Sequence, residues 1–539
     1  MSLVTESNVE PAAKPLRWEL SDRFALRWQH VVLCTALSTF FVYLSYVPIF
    51  HSDIWGHVHY GNWIIENGQL PQEDPFLPLA EGMYVVDNAW LAQVIFAKVE
   101  SIGGPQGMSS LFALTVFATY LIYARIFFLF SRSPLLVIAG LFLLFFVGFS
   151  RHAIIRPEIF GGLCLAVLFW MLVRVEPWQG RVLGGHPQSN DDRWPRWMWL
   201  CIPLMFLFWA NAHGSFAVGL VVLGCHALGR VIEVIWKTRN PLACFFDRDC
   251  QRWILMTELA VAATLINPYG LDLLIQTARF GQNPNLRDVM EWYPLKLIDL
   301  EGIQYCISIV LMVVLLRHSR IRMRATEVLM LMFFAFSVAP TIRMIGWYAP
   351  LFAFLMVPHL TNALSRRQQK EHPEQSGPQR HDLSRFAGTL LCILLFWCGF
   401  ALTPISRPLL GGTPREKETI FSRGTPHGVT NYLRENPPEG LVFAPQWWGD
   451  YLNWSAPAEM KVFMTTNLHL APRQVWRDYL RVARGQSGWE GILDKYDVGT
   501  LVVHKELQVP MARNIRRTRL WRIVYEDRQG VVLQRASST

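Results

Sequence analysis

The sequence is poor in charged residues and lacks the cysteine and histidine patterns of common metal and redox sites. Charged residues make up 17% of its 539 positions and hydrophobic residues 52%, with a mean hydropathy of +0.23. Without a Cys-x-x-Cys or His-Glu-x-x-His pattern, a thiol redox centre or a protease-type zinc site is not expected. None of the nine cysteines lies in residues 51–106 or after Cys398, so no disulfide framework is expected in those regions.

What the chain does have is a series of apolar runs long enough to cross a membrane. They predict an α-helical polytopic membrane protein of about eleven transmembrane helices, followed from Thr413 by a soluble α/β domain. The predicted spans are Trp28–Phe50, Met108–Phe130, Pro134–Phe149, Pro157–Val175, Trp197–Ala212, Phe216–Trp236, Trp253–Ile266, Ile303–Leu316, Ala325–Ala339, Ile345–Leu364 and Phe386–Thr403. A short membrane-dipping helix is a further expectation within Ala89–Val99.

Basic residues fall in alternate loops, as the positive-inside rule requires. This pattern accounts for the net charge of +9 without a nucleic-acid partner, and it predicts a multi-pass protein of the cell inner membrane with a cytoplasmic N-terminus. The predicted regions are a cytoplasmic segment at 1–27, a transmembrane domain at 28–405 with its first outer loop at 51–107, cytoplasmic linkers at 176–195 and 366–384, and an extracytoplasmic domain at 413–539.

If the N-terminus is cytoplasmic and the chain crosses the membrane at each predicted span, a set of charged residues lies at the outer face of the membrane. Ionisable groups within or at the edge of a membrane are energetically costly and tend to be functional. The set consists of Asp53, Arg151, Arg156, Glu158, His213, Glu291 and Arg343.

Asp53 and His57 are candidates for catalysis, since residues four apart share a helix face. A carboxylate beside an imidazole can act as a general base or bind a divalent cation such as Mg²⁺ or Mn²⁺. The alternative is that Asp53 only caps a helix. We expect no dedicated histidine metal site, and we expect Glu73 and Asp74 to be solvated loop charges.

The remaining candidates suit an anionic substrate. Arg156 and Arg343 each offer a planar guanidinium to a lipid phosphate, although arginines also extend to phospholipid headgroups. Asn211 and His213 end one span, and the Asn-Pro and His-Gly pairs here also punctuate helix ends. The substrate-binding candidates are Arg151, Arg156, Glu158, Asn211, His213, Glu291 and Arg343.

The order of several motifs along the chain, from about Trp28 onward, is similar to that of a known family. The acidic residue after the first span, Asp53, is followed by DPF (Asp74–Phe76) and Trp90–Leu91. Then come RPE (Arg156–Glu158), WANAHGSF (Trp209–Phe216), NPYG (Asn267–Gly270) and EW (Glu291–Trp292). The tail adds WWGDYLNW (Trp447–Trp454), KVFM (Lys461–Met464) and W-x-x-V-Y-x-D (Trp521–Asp527). This order resembles bacterial multi-spanning proteins related to the GT-C superfamily of glycosyltransferases, which use polyprenyl-phosphate-linked sugars.

The resemblance implies a catalytic acid in the first outer loop, matched by Asp53, and a donor phosphate held by outer basic residues, matched by Arg156 and Arg343. The partners it implies are a polyprenyl-phosphate sugar donor and membrane lipid. Two departures stand out. Thr465–Thr466–Asn467 replaces an expected Asp-Gly-Arg-like turn, and no Asp-x-Asp surrounds Asp53, so a divalent cation is not a firm requirement.

Two other functions remain open from the sequence. A transporter or flippase of a lipid-linked or anionic substrate would place polar groups near the middle of the bilayer, often in repeats. Here the predicted spans are apolar at their centres and polar at one end, and no repeat is visible, which favours an enzyme. A non-catalytic scaffold that displays the C-terminal domain is the third alternative.

Overall fold

The computed structural model of the protein describes residues 26–50, 52–151, 154–175, 194–371, 383–455 and 460–536. The predicted N-terminal segment 1–27 lies outside these residues apart from its last two positions, as do most of the predicted linkers 176–195 and 366–384. His51, which begins the first predicted outer loop, is also outside them.

The described chain is a helix bundle followed by a small domain that contains a sheet. The bundle helices are α1 Trp28–Ser45, α2 Ile54–Asn67, α3 Trp90–Ser131, α4 Pro134–Val147, α5 Glu158–Val175, α6 Met198–Ala212, α7 Phe216–Thr238, α8 Arg248–Thr264, α9 Leu271–Arg279, α10 Leu300–His318, α11 Ala325–Val338, α12 Ile345–Glu371 and α13 Leu383–Ala401. Short helices follow at α14 Arg407–Leu410 and α15 Lys417–Ile420.

Within the described residues, six helices are long and apolar enough to cross a membrane, and a seventh span is formed if the bent pair Phe386–Ala401 and Pro404–Leu410 is counted as one. By length and composition the protein is therefore a multi-pass membrane protein. The apolar helices α4, α6 and α11 are shorter, with 10–17 residues each. The predicted count of about eleven transmembrane helices is not confirmed.

Helix α3 is longer than the span predicted at Met108–Phe130. It begins at Trp90, so the segment expected as a separate dipping helix is its first part, and the run breaks at Gly104, whose φ is +54°, before Pro105. Proline has no backbone N–H to donate and favours the first turn of a helix, which explains a break at this point. A similar difference occurs in α12, which continues to Glu371 because Arg, Gln and Lys favour helix.

The C-terminal domain is α/β, as the sequence predicts. Its strands β1 Leu441–Phe443, β2 Lys461–Val462, β3 Val498–His504, β4 Trp521–Glu526 and β5 Gly530–Arg535 form one sheet in the order β2-β1-β3-β5-β4. Strand β1 pairs in parallel with β2 and β3, while β5 pairs antiparallel with β3 and β4. Its helices are α16 His427–Glu435, α17 Gln446–Ser455, α18 Arg473–Ala483, α19 Trp489–Lys495 and α20 Val509–Asn514.

The sheet domain packs against the loops at one end of the helix bundle. Ile49, just after α1, forms a parallel β-bridge with Phe421. Leu77 and Ala80, from the segment between α2 and α3, are fully buried in the same apolar cluster as Phe443 and Leu501 of the sheet. The loops that follow the helices and the C-terminal domain therefore share a core at the end of the bundle where α1 ends.

Candidate functional site

Three chain segments that are far apart in sequence meet at the end of the bundle covered by the sheet domain. Asp53 comes between α1 and α2, Arg156 comes just before α5, and Glu291 lies in the long segment between α9 and α10. Arg156 Nε lies 2.8 Å from Asp53 Oδ2, and its Nη1 lies 2.5 Å from Glu291 Oε1. The guanidinium of Arg156 therefore joins Asp53, the candidate catalytic residue, to a carboxylate from another loop.

Two further arginines extend this ion network through Glu291. Arg151 Nη2 lies 2.9 Å from Glu158 Oε2, and its Nη1 lies 3.5 Å from Glu291 Oε2. Arg343 approaches the same Glu291 oxygen at 3.7 Å and stacks over Trp292, with 5.3 Å from its guanidinium carbon to the ring centroid. These six charged side chains are between 12% and 26% exposed, so their mutual attraction is only weakly screened by water.

The charges of this network balance, with three carboxylates against three guanidinium groups. Burial by itself would raise the pKa of Asp53, but the positive charge of Arg156 outweighs it and holds that pKa below its ordinary value. The pKa of Glu291 is likewise lowered, because three arginines outweigh its burial. Both carboxyl groups are therefore ionised at neutral pH.

The side chain of Asp53 does not act as a helix cap. Asp53 occupies the N-cap position of α2, but its side chain accepts no capping hydrogen bond and pairs with Arg156 instead. His57 lies one turn further along α2, and burial lowers the pKa of its imidazole to about 4, so it is neutral at pH 7.

A hydrogen-bonded chain orients His57. Gln93 Nε2 lies 3.3 Å from His57 Nδ1 and donates to Asp87 Oδ1 at 3.1 Å. Because an amide nitrogen can only donate, Nδ1 of the neutral ring is the acceptor and the ring proton sits on Nε2. Burial raises the pKa of Asp87 to about 6.

The two remaining sequence candidates lie beside the network. His213 follows α6, and its Nδ1 lies 2.7 Å from Ser215 Oγ. Burial lowers the pKa of His213 to about 4 despite the nearby charge of Glu158. Asn211 is committed to the scaffold, since it accepts from Trp90 Nε1 and donates to the carbonyls of Leu207 and Ile266.

Asn211 also lines an open apolar cleft of about 590 Å³ between the start of α3, helix α6 and the end of α8. Leu204, Leu207 and Phe208 supply one wall, and Ile266 and Pro268 supply another.

A buried carboxyl, Asp450, for which the sequence predicted no role, lies where the C-terminal domain contacts α2. Asp450 of α17 is 2% exposed, and its Oδ2 accepts from the backbone and side chain of Thr466. A side chain at Gly56 of α2 would overlap the Asp450 carboxylate, so the two helices touch there. Asn467 of the same turn donates to Tyr60 of α2 at 2.8 Å. The Thr465–Thr466–Asn467 turn is thus part of the interface between the domains.

Asp74 corrects one expectation. The sequence suggested a solvated loop charge, but Asp74 is 8% exposed and accepts from the backbone of Phe76 and Leu77. Burial raises its pKa above the ordinary value. The Asp-Pro-Phe sequence does indicate a turn, in which the Asp side chain accepts hydrogen bonds from the backbone of the residues that follow. The burial of Asp74 could not be predicted in the same way, because it depends on a domain far away in sequence.

Asp450 gives a testable dependence on pH. Burial raises its pKa from 3.8 to about 7, so the folded protein keeps a proton that the unfolded chain has already released. Stability should therefore fall by up to about 4 kcal/mol as the pH rises from about 4 to about 7. Asp450→Asn can keep the Thr466 hydrogen bonds and should lose this dependence.

Thermal unfolding of the two proteins in detergent across this pH range measures the difference. Glu439→Gln, which changes an exposed carboxyl of the same domain, should behave as the unaltered protein. Parallel pH profiles for Asp450→Asn and the unaltered protein would contradict the assignment.

The carboxylates present do not suit a bound divalent cation in this arrangement. Within the described ranges, no group of three or more His, Cys, Asp or Glu side chains is placed to hold a metal ion. Asp53, Glu158 and Glu291 are each already paired with arginine, so a cation would first have to displace a guanidinium.

Comparison with known proteins identifies the fold. No protein-family model matches the sequence, and no curated protein is significantly similar to it. Among solved structures, the chain is similar to the archaeal oligosaccharyltransferase AglB from Archaeoglobus fulgidus, in a structure with an inhibitory peptide and a dolichol-phosphate. The TM-score is 0.56 and the sequence identity is 11%. The match covers 89% of this chain and 70% of AglB. It is also similar to the apo form of the Archaeoglobus fulgidus oligosaccharyltransferase, with a TM-score of 0.57, 12% identity, and coverage of 90% and 71%. The chain therefore shares the fold of these oligosaccharyltransferase structures.

Proposed function

We propose that the protein is an integral membrane glycosyltransferase that moves a sugar from a polyprenyl-phosphate-linked donor to an acceptor at the outer face of the membrane. The observation that carries this proposal is the buried ion network of Asp53, Arg156 and Glu291 at the ends of apolar helices. A lipid-linked donor needs its phosphate at the membrane edge and its tail in the bilayer, and this network lies where the helices end. The AglB structure with dolichol-phosphate supports a donor of this class.

The donor phosphate competes with the carboxylates for the arginines. Arg343 is the guanidinium held least closely, at 3.7 Å from Glu291, and it offers the first contact to a phosphate. Arg156 then exchanges one carboxylate for a phosphate oxygen. Because Arg156 lowers the pKa of Asp53, this exchange makes Asp53 a stronger base when the donor is bound.

The transfer step uses this carboxylate. Asp53 removes the proton of the acceptor hydroxyl as its oxygen bonds to the anomeric carbon, and the bond from that carbon to the phosphate oxygen breaks with its electron pair. The negative charge that grows on the leaving phosphate is stabilised by Arg156 and Arg343. Placement at the edge of the bilayer limits access of water to the donor.

His57 and the other network residues position these groups in this proposal. The neutral His57 is held by Gln93 beside Asp53, and Glu291 and Glu158 fix the arginines. Asn211 lines the open apolar cleft, and His213 lies close to the charge of Glu158. The direct test is to incubate the purified protein in lipid nanodiscs with a polyprenyl-phosphate sugar and membrane acceptors, and to measure release of the lipid phosphate. No consumption of donor would contradict the proposal.

We further propose that the N-terminus is cytoplasmic and that the domain at 413–539 is extracytoplasmic, in the inner membrane. Loop charges support this orientation. Single cysteines at the exposed Glu81 and Glu439, in a cysteine-free background, should both react with an impermeant thiol reagent in intact cells.

Lys237 is the matched control, since it is exposed at the opposite end of the bundle, where α7 ends. A cysteine at Lys237 should react only after the membrane is permeabilised. Protection of Glu81 or Glu439 positions in intact cells would reverse the proposed orientation.

A further inference from the structure

The exposed side of α18 carries arginines at helical spacing. Arg477, Arg481 and Arg484 are separated by four and then three positions, so they follow one face of the helix to its C-terminal cap, and all three are exposed. They extend over about 10 Å along the helix axis. The apolar side chains of α18, such as Trp476 and Tyr479, are buried in the cluster that covers one face of the sheet.

The basic surface continues onto the end of α20. Asn514 Nδ2, in the last turn of α20, donates to the carbonyl oxygen of Gly485 at 2.7 Å, so the C-terminal ends of α18 and α20 are in contact. Arg513 and Arg517 lie on either side of Asn514 in sequence, and both are exposed. We call the five residues Arg477, Arg481, Arg484, Arg513 and Arg517 the arginine surface.

No carboxylate of the described residues forms an ion pair with any arginine of this surface. Carboxylates on the same elements have other partners, since Asp478 pairs with Lys495, and Glu526 pairs with Lys505 and Arg516. Like charges four positions apart on a helix destabilise it, an effect that an anionic partner would offset. In the proposed orientation the domain is extracytoplasmic, where the positive-inside rule gives no reason for an excess of arginine.

The start of α18 is fixed to the segment that supplies Glu291. Arg473 Nη1 lies 2.8 Å from Asp288 Oδ2, and Trp476 Nε1 donates to the same oxygen at 3.0 Å. Asp288 comes three positions before Glu291 of the ion network. The arginine surface therefore begins one helical turn beyond the contact between α18 and this segment, and it leads away from the ion network along the C-terminal domain.

We propose that the arginine surface binds an anionic glycan, and that this glycan is the acceptor of the proposed transfer. A row of regularly spaced cations suits a polymer with a repeating negative charge, and a glycan also supplies the hydroxyl that receives the sugar. Guanidinium groups bind carboxylate and phosphate alike, so either anion on the repeating unit fits. The acceptor role rests on the proposed function, whereas the binding does not.

A membrane surface is a poorer match for this face. A helix that lies on a bilayer inserts its apolar side among the lipids, whereas the apolar side of α18 is already buried against the sheet. The exposed side of α18 offers only arginines and Gln474.

Binding can be measured without any donor, on the full chain in phosphatidylcholine nanodiscs, by the fluorescence anisotropy of labelled oligosaccharides. The probes are an oligogalacturonate, which carries carboxylates, a ribitol-phosphate oligomer, which carries phosphodiesters, and a neutral dextran of similar length. We expect an anionic probe to bind and the dextran not to bind. The affinity should fall as salt is added, because exposed charges are screened. The anionic probe that binds more tightly identifies the anion.

Arg477→Gln combined with Arg481→Gln should lower this affinity at least tenfold, since glutamine keeps the helix propensity and removes both charges. Arg423→Gln combined with Arg528→Gln is the matched control, because it removes the same charge from exposed positions of the same domain. Arg423 precedes α16, whose apolar residues pack on the other face of the sheet, and Gln529 donates to its carbonyl oxygen. The control variant should bind as the unaltered protein does.

Equal affinity of the Arg477→Gln, Arg481→Gln double variant and the unaltered protein, or no binding of either anionic probe, would overturn the proposal. Displacement of the bound probe by phosphatidylglycerol vesicles, but not by phosphatidylcholine vesicles, would assign the surface to a membrane and overturn it as well. Because no donor is present, these results are independent of sugar transfer. A protein that binds the glycan but consumes no donor would contradict the proposed function and leave the binding intact.

Discussion

Asp53→Asn should lower sugar transfer by about 10²–10⁴-fold while leaving the protein folded. The substitution keeps the size of the side chain and one oxygen acceptor for Arg156, but it removes the base that accepts the proton of the incoming hydroxyl. Arg156 also keeps its contact with Glu291, so the network is not left with an unpaired guanidinium. Initial rates with a polyprenyl-phosphate sugar in membranes, normalised to folded protein, measure the effect.

Asp272→Asn provides the matched control, since Asp272 is an exposed carboxyl in α9, outside the ion network. It should transfer sugar at the rate of the unaltered protein. Full activity in Asp53→Asn would remove Asp53 from the catalytic role. Absence of donor consumption by the unaltered protein would instead favour the transporter or scaffold alternatives.

Arg156→Ala should abolish donor binding and also destabilise the protein, in contrast to Arg343→Ala. Removing Arg156 leaves the Asp53 carboxylate buried without its cation, and breaking a buried pair in this way costs about 3–5 kcal/mol. Glu291 keeps Arg151 and Arg343 as partners, so the loss is concentrated at Asp53. Thermal unfolding and lipid-phosphate binding, measured on the same preparation, separate the two effects.

For Arg343→Ala we expect a stable protein with weaker donor binding. The contact of Arg343 with Glu291 is long, and a charged hydrogen bond to the donor phosphate is worth about 1.5–3 kcal/mol, which corresponds to a roughly 10- to 150-fold loss of affinity. Arg279→Ala, which removes an exposed arginine at the end of α9, should change neither property. Equal stability of Arg156→Ala and the unaltered protein would show that Arg156 does not neutralise Asp53.

The residues of the ion network could be named from the sequence because the membrane restricts where charges are tolerated. Five of the six lie at or next to the end of an apolar run, and counting reversals brings all six, including Glu291 in a long loop, to one face. Their pairing could not be derived in this way. Arg156 meets Asp53 and Glu291 across 103 and 135 positions of sequence, and only the packing of α1, α5 and the long segment before α10 decides that Arg156 rather than Arg343 contacts Asp53.

Residues at the interface with the sheet domain were harder to predict. Asp74 and Asp450 occur in loop-like and helical contexts that suggest exposure, and their burial arises where α2 and the segment after it contact the domain.

The boundaries of helices were predicted less accurately than their positions. The break at Gly104 divides α3 without ending it, and the polar residues that suggested a linker after Leu364 extend α12 to Glu371.

We propose that a lipid phosphate and its sugar bind at the Asp53–Arg156–Glu291 network. The sharpest measurement is a cryo-electron microscopy structure of the protein in nanodiscs with a non-hydrolysable polyprenyl-phosphonate sugar. We expect the phosphonate within hydrogen-bonding distance of Arg343 and Arg156, the sugar on the side of Asp53, and Asp53 released from Arg156. A phosphonate bound at the other end of the helices, with the Asp53–Arg156 pair intact and no sugar beside it, would show that the donor does not bind at this network.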